Sequence, residues 1–126
     1  MSRKINPITW FEIYVSDLKR AKSFYEAVFG YDLVEEKTDG SFSVYRFPGG
    51  MPASGAIGAL VKHPLRQPSE SGTLVYFHCD DCGLTSELVI SNGGAIFRPK
   101  LSVGEDGFIA IVGDTEGNAI GLHSFK

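Results

Sequence analysis

Polar and apolar residues alternate in short stretches of this chain, and in two places the apolar spacing becomes helical. The first alternating stretch, Thr9–Val15, is rich in aromatic and β-branched residues and predicts a strand. Asp17 then predicts a helix N-cap, and Gly30 predicts the stop that ends the helix. Between them the residues that recur at helical spacing are Leu18, Ala21, Phe24, Tyr25 and Val28.

The remaining pattern predicts three more strands and then a second unit of the same order. The three strands are Tyr31–Lys37, Phe42–Phe47 and Ala56–Val61. The second unit is predicted as strand Thr73–Cys79, helix Leu84–Ser91, and strands Ala95–Arg98, Gly107–Val112 and Ala119–Phe125, with a loop over Leu101–Asp106. Each unit therefore has the order βαβββ.

An internal repeat supports this division. The stretch Val15–Gly30 returns in outline as Cys79–Gly94, at a constant offset of 64 residues (79 − 15). We therefore predict one α+β domain, residues 1–126, built from two tandem βαβββ modules that form curved sheets around a shared cleft. The modules span about 1–62 and 73–126, and the Pro-containing segment between them is predicted to be a linker.

Composition and charge narrow the range of partners. The formal net charge is −3, and no run of Lys or Arg is longer than a pair, which argues against a nucleic-acid surface. No apolar stretch approaches the ~18 residues of a membrane span, so no membrane partner is expected. The start of the chain is basic but has no apolar signal region, which predicts a cytoplasmic protein.

The two cysteines, Cys79 and Cys82, have a Cys-x-x-Cys spacing near the start of the second predicted helix. One such pair supplies two metal ligands rather than four, and a redox role needs a thiolate. The intervening Asp80 and Asp81 would raise the thiol pKa values. We therefore expect a structural role for both cysteines.

Taken together, these motifs resemble the vicinal oxygen chelate group, which includes glyoxalase I, extradiol dioxygenases, fosfomycin-resistance enzymes and bleomycin-resistance proteins. The resemblance rests on the paired modules and on four motifs: the run at Val15–Tyr25, the pair Phe29-Gly30, the Asn92-Gly93-Gly94 turn and the Asp114–Asn118 turn. It implies a concave cleft between modules, a small-molecule ligand and a homodimer.

The same resemblance implies four metal-ligand positions on the concave face, and this chain has Trp10, Gly58, Leu74 and Gly121 there. Zinc, nickel and iron sites need imidazole, carboxylate or thiolate groups, which these residues lack. We therefore expect a metal-free site with no cofactor.

Strand alternation predicts which side chains take the place of the metal. If position 10 faces the cleft, positions 12 and 14 face it too, and the same argument applies to positions 74 and 121. The ligand-binding set is then Trp10, Tyr14, Gly58, Leu74, Tyr76 and Gly121, and the candidate catalytic set is Glu12, His78 and His123. Gly58 and Gly121 would leave the cleft floor open, and Trp10 and Tyr76 would sandwich a flat ligand.

Three functional hypotheses follow from these residues. In the first, Glu12 is a general base, assisted by His78 or His123, in an isomerase- or lyase-type proton transfer. In the second, the cleft only sequesters its ligand, as resistance proteins do. A separate, structural alternative for Glu12 is that it pairs with Arg46 or a His and holds the sheets together. In the third, Glu12, His78 and His123 together bind a divalent metal.

Overall fold

A computed structural model describes residues 6–36, 43–50 and 55–126 of the chain. In these ranges it contains eight strands and two α-helices, in the predicted order. The first unit consists of β1 (Trp10–Tyr14), α1 (Leu18–Phe29), β2 (Val34–Glu36), β3 (Ser43–Arg46) and β4 (Ile57–Lys62). The second consists of β5 (Tyr76–His78), α2 (Cys82–Ser91), β6 (Ala95–Ser102), β7 (Phe108–Gly113) and β8 (Ala119–Ser124), with a short 3₁₀ turn at Gly104–Asp106.

The strands form two four-stranded sheets with the same topology. Their orders are β1-β4-β3-β2 and β5-β8-β7-β6. In each sheet the first strand pairs in parallel with the last, and the other pairings are antiparallel. This confirms the predicted α+β fold of tandem βαβββ units. We refer to β1–β4 with α1 as the N-terminal module and to β5–β8 with α2 as the C-terminal module.

The helix ends follow the capping residues of the sequence. The side chain of Asp17 accepts a hydrogen bond from the backbone N–H of Arg20, and Gly30 ends α1 in the left-handed conformation at φ 76°. Asp81 caps α2 in the same way, so this helix begins at Cys82, two residues before the predicted start. The glycine with positive φ after α2 is Gly93, whereas the internal repeat aligns Gly94 with the helix-ending Gly30.

Three strand boundaries differ from the prediction. Strand β5 spans only Tyr76–His78 of the predicted Thr73–Cys79, although the carbonyl oxygen of Val75 still accepts a 2.8 Å hydrogen bond from the backbone N–H of Gly121 in β8. Strand β6 extends through Leu101 and Ser102, which we had predicted to be loop, because these residues pair with β7. The predicted strand ends at Lys37 and Phe42 lie outside the described residues.

A single apolar core joins the two modules. Phe77 of β5 stacks on Phe29 of α1 with ring centroids 4.7 Å apart, and its ring also lies 5.8 Å from Tyr25 and 5.5 Å from Phe47. Burial of side chains of this size contributes roughly 1.5–3 kcal/mol each. Because these rings come from both modules, the modules pack as one unit. No helix among the described residues is long and apolar enough to cross a membrane.

The hairpin turn Asp114–Asn118, between β7 and β8, fastens the C-terminal module to the N-terminal module. The buried carboxylate of Asp114 accepts a 2.7 Å hydrogen bond from the hydroxyl of Tyr25 in α1. It also accepts from the backbone N–H groups of Glu116 and Asn118, which shapes the turn. The side-chain amide of Asn118 then donates to the carbonyl oxygen of Tyr14, at the end of β1.

Glu116 makes the charged part of this contact. Its side chain is 0% exposed and pairs with Arg20 at 2.7 Å. It also accepts from the backbone N–H groups of Ser16 and Asp17 and from the hydroxyl of Thr115. Burial acts to raise the pKa of Glu116, but these hydrogen bonds outweigh it and lower the pKa to about 2.

We predict that Glu116→Gln lowers the free energy of unfolding at pH 7 by about 3 kcal/mol, since a carboxylate pKa lowered from near 4.5 to about 2 is linked to stability. That contribution is present above pH 4.5 and is lost as the pH falls toward 2. The difference between the wild type and Glu116→Gln should therefore narrow over this interval. Urea unfolding at a series of pH values measures it.

The control is Glu87→Gln, which removes the same charge from an exposed position on α2. Its effect at pH 7 should stay within about 0.5 kcal/mol. Equal stabilities of the Glu116 and Glu87 variants at pH 7 would show that the inter-module contact is not a stabilising one.

Candidate functional site

A cavity of about 750 Å³ lies at the junction of the two modules. Strand β1 forms one wall with Trp10, Glu12 and Tyr14, and residues 73–76 and 118–120 of the C-terminal module form another. A volume of this size is in the range of small-molecule sites. The cavity therefore has the place and the dimensions expected of the shared cleft.

Glu12 orders the β1 wall. Alternation places the side chains of Trp10, Glu12 and Tyr14 on one face of the strand. The carboxylate of Glu12 accepts a hydrogen bond from Trp10 Nε1 at 3.1 Å and another from the Tyr14 hydroxyl at 2.7 Å. The hydrogen bond to Glu12 is the main cause that raises the pKa of Tyr14, and burial adds to it, so Tyr14 remains the donor.

The expected ion pair between Glu12 and Arg46 does not form. Arg46 instead pairs with Glu36 at 3.6 Å, and its guanidinium lies 5.7 Å from the centre of the Trp10 ring. Among the described lysine and arginine side chains, none lies within ion-pair distance of the Glu12 carboxylate. The negative charge of Glu12 is thus stabilised by hydrogen bonds from two neutral side chains of its own strand.

Sequence reasoning missed the polar rim of the cavity. Gln67, Ser69 and Ser71 line it, although they belong to the segment predicted to be a linker, and Thr73 of the predicted strand Thr73–Cys79 lines it too. The backbone N–H of Ser69 donates to Asn118 Oδ1 at 2.8 Å, which fastens this segment to the inter-module turn. The available signal was the density of hydroxyl residues after Pro68, which is equally typical of an exposed linker.

The two histidines lie in a separate hollow of about 370 Å³, on the C-terminal sheet. His78 of β5 and His123 of β8 are direct partners across these parallel strands. His123 Nε2 lies 2.6 Å from the carbonyl oxygen of Asp106, which can only accept, so this nitrogen carries the proton. Tyr76 borders both the hollow and the larger cavity.

The predicted catalytic set is therefore divided. Glu12 lines the inter-module cavity, whereas His78 and His123 line the hollow. Among the described residues, no three His, Cys, Asp or Glu side chains come close enough together to hold a metal ion. The alternative metal set of Glu12, His78 and His123 does not assemble in this structure.

The expectation that Gly58 opens the cleft floor is wrong. Gly58 pairs with Phe11, so it faces the helices rather than the cavity. A Cβ at this position would lie 2.4 Å from the Phe11 carbonyl oxygen and 2.5 Å from its ring. The error is one of register, because the residue that pairs with the cavity-facing Glu12 is Ala59.

Gly121 has the predicted orientation, but it does not leave an open floor. It pairs with Tyr76, and a Cβ there would lie 2.3 Å from the Tyr76 ring. The missing side chain is what allows this ring to lie flat against the strand. The ring is 45% exposed, so it offers a surface to the cavity.

A metal does not fit the positions that the family resemblance singles out. With the register corrected, these positions hold Trp10, Ala59, Leu74 and Gly121. None of the four has an imidazole, carboxylate or thiolate group. The observed chemistry of this surface is that of an aromatic and polar cavity.

The cysteines also fit a structural role. Burial is the main cause that raises the pKa of Cys79 to about 11, so its thiol stays protonated near neutral pH. Cys82 is fully buried in the core, and its Sγ lies 3.4 Å from the carbonyl oxygen of Phe108. The acidic neighbour Asp81 contributes to the Cys79 shift, but less than burial does.

We predict different outcomes for alanine at the two glycines. Gly58→Ala should destabilise the fold by about 1–3 kcal/mol, because its Cβ meets the backbone of β1. Gly121→Ala should cost less stability, because the half-exposed Tyr76 ring can move, but it should alter the cavity wall. Thermal unfolding followed by circular dichroism measures both. Equal losses at the two positions would contradict this difference in packing.

Residues 7–45 match the family model for the bleomycin resistance protein-like N-terminal region. Among curated proteins, the chain is 26% identical over 116 residues to the "putative glyoxylase CFP32" of Mycobacterium bovis and of Mycobacterium tuberculosis. The match covers 90% of this chain and 43% of each relative, so the chain spans less than half the length of these proteins.

Solved structures share the fold. A mutant of glyoxalase I from Zea mays matches with a TM-score of 0.74 and 20% identity, over 94% of this chain and 46% of that one. TnmS3, an antibiotic binding protein from Streptomyces sp. CB03234, matches with a TM-score of 0.70 and 25% identity, over 98% of both chains. With the tandem βαβββ topology, these matches show that the chain is similar in sequence and fold to glyoxalase- and bleomycin-resistance-like proteins, which supports the resemblance to the vicinal oxygen chelate superfamily.

Proposed function

We propose that this protein binds a small, flat organic ligand in the inter-module cavity, without a metal, and holds it rather than transforming it. The observation that carries the proposal is the hydrogen-bonded array of Trp10, Glu12 and Tyr14 on the β1 wall. Because Glu12 holds both neighbours, the aromatic side chains are ordered before a ligand arrives. An ordered site loses less entropy on binding.

Sequestration is better supported than proton transfer. The proton-transfer hypothesis needs Glu12 and an assisting histidine at the same substrate. The histidines that would assist it line a different hollow. An isomerase- or lyase-type reaction would therefore have to proceed without the assembled acid and base on which that hypothesis depends.

Two of the comparisons support a binding role, whereas the curated relatives and the Zea mays structure carry glyoxalase names. TnmS3, which has a similar fold over nearly its whole length, is named as an antibiotic binding protein. The family model that matches β1, α1 and β2 is named after bleomycin resistance. These names support a binding role for the present chain.

The homodimer and the cytoplasmic location remain predictions. Leu84 and Leu88, which lie one turn apart on α2, are 63% and 43% exposed. Apolar side chains exposed together on one helix face are typical of an interface between subunits. They support the predicted homodimer.

Binding can be followed through Trp10, because it is the single tryptophan of the chain. We predict that quinoline, a flat uncharged probe at pH 8, quenches this fluorescence with a saturable dissociation constant of roughly 1 mM, as expected for a ligand of this size. EDTA should not change the constant. Tyr76→Ala should weaken binding about fivefold by removing a ring from the wall.

Phe125→Ala is the matched control, since Phe125 is 69% exposed and does not line the cavity. It should bind quinoline as the wild type does. A linear, non-saturating quench, or a loss of binding in EDTA, would contradict a metal-free site in this cavity.

A further inference from the structure

Glu12 is the charged residue of the described cavity lining. Of the side chains that line the cavity within residues 6–36, 43–50 and 55–126, Glu12 alone is charged at neutral pH, and the polar remainder is neutral Ser, Thr, Asn and Gln with Tyr14 and Tyr76. Tyr14 stays protonated, and Glu12 and burial raise its pKa further. The described lining therefore presents a single negative charge to a ligand.

The carboxylate of Glu12 retains capacity for a ligand. Each of its oxygens accepts one hydrogen bond, from Trp10 or from Tyr14, and each has a second lone pair. Glu12 is an exposed residue, so these lone pairs are accessible. Its two donors fix the carboxylate beside the Trp10 ring, which places a charge and an aromatic face together.

Aromatic surface lines the same cavity as this charge. Trp10 is 39% exposed and Tyr76 is 45% exposed, and both line the cavity. Faces of such rings attract cations, Trp most strongly. The chain itself uses this property, because the guanidinium of Arg46 lies 5.7 Å from the centre of the Trp10 ring.

Two arginines lie near the wall, but neither lines the cavity. Arg46 is paired with Glu36, and the positive charge of Arg66 acts to lower the pKa of Tyr14. Neither arginine forms an ion pair with Glu12. A cationic ligand would therefore be a suitable partner for the Glu12 carboxylate.

We propose that the ligand of this cavity is a planar aromatic cation, a ring that carries a protonated amine, an amidinium or a quaternary nitrogen. The inference rests on the proposed binding function and adds the charge class of the ligand. The aromatic ring contacts Trp10 and Tyr76, and the cationic group faces the free lone pairs of Glu12. Glu12 is therefore the specificity-determining residue of the site.

Three probes of similar shape test the charge class at pH 8. They are N-methylquinolinium, which is cationic, quinoline, which is neutral, and 1-naphthoate, which is anionic. We predict that N-methylquinolinium binds about tenfold more tightly than quinoline, as measured by Trp10 quenching and by calorimetry, and that 1-naphthoate binds more weakly than either. Added salt should weaken the cation alone.

Glu12→Gln should remove most of the tenfold preference, since the amide retains an oxygen acceptor but loses the charge. Its affinity for quinoline should change less than twofold. Glu87→Gln, which removes an exposed charge outside the cavity, should keep the preference.

The outcomes separate the two proposals. If quinoline binds as tightly as N-methylquinolinium, or if Glu12→Gln keeps the preference, the charge class is wrong although the cavity still binds ligands. If 1-naphthoate binds most tightly, the charge class is reversed. If no probe binds with saturation, both the charge class and the proposed binding function are overturned.

Discussion

The turn Asp114–Asn118 is the constraint on which the rest of the structure depends. Asp114 accepts a hydrogen bond from the buried hydroxyl of Tyr25, and Glu116 accepts hydrogen bonds from the two backbone N–H groups just before α1. The side-chain amide of Asn118 donates to the backbone carbonyl at the end of β1. One short hairpin turn of the C-terminal module thereby fixes the strand, the helix and the core of the other module. Because buried polar groups are costly when left unpaired, these contacts allow little freedom in how the modules meet.

The cavity is a consequence of this arrangement. Asn118, whose side chain donates to the end of β1, also accepts a hydrogen bond from the backbone N–H of Ser69. The segment between the modules therefore forms the rim of the cavity rather than a free linker. On the opposite wall Glu12 orders Trp10 and Tyr14. The described site thus consists of ordered aromatic and hydroxyl groups with one carboxylate that pairs with no described lysine or arginine, which supports recognition of a ligand more than chemistry upon it.

The fold could be predicted from the sequence because several local patterns agree. The spacing of Phe24, Tyr25 and Val28, the cap at Asp17 and the stop at Gly30 all indicate the same helix, and the repeat supplies its counterpart. The site could be predicted only in part. Alternation predicts correctly which face of β1 carries Glu12. It does not determine which residue of β4 lies beside Glu12, so the prediction names Gly58 for the cavity-facing position that Ala59 occupies.

The contacts between residues far apart in the sequence could not be predicted, for a different reason. No local pattern shows that Ser69 and Ser71 lie over the cavity, or that the histidines line a second hollow. These facts depend on where the modules meet, which the Asp114–Asn118 turn decides.

The position of N-methylquinolinium in a crystal structure of its complex with metal-free protein tests the proposed binding site most directly. We predict that the ring lies between Trp10 and Tyr76 with its charged nitrogen toward Glu12. A ring bound in the His78–His123 hollow, with the inter-module cavity empty, would contradict it.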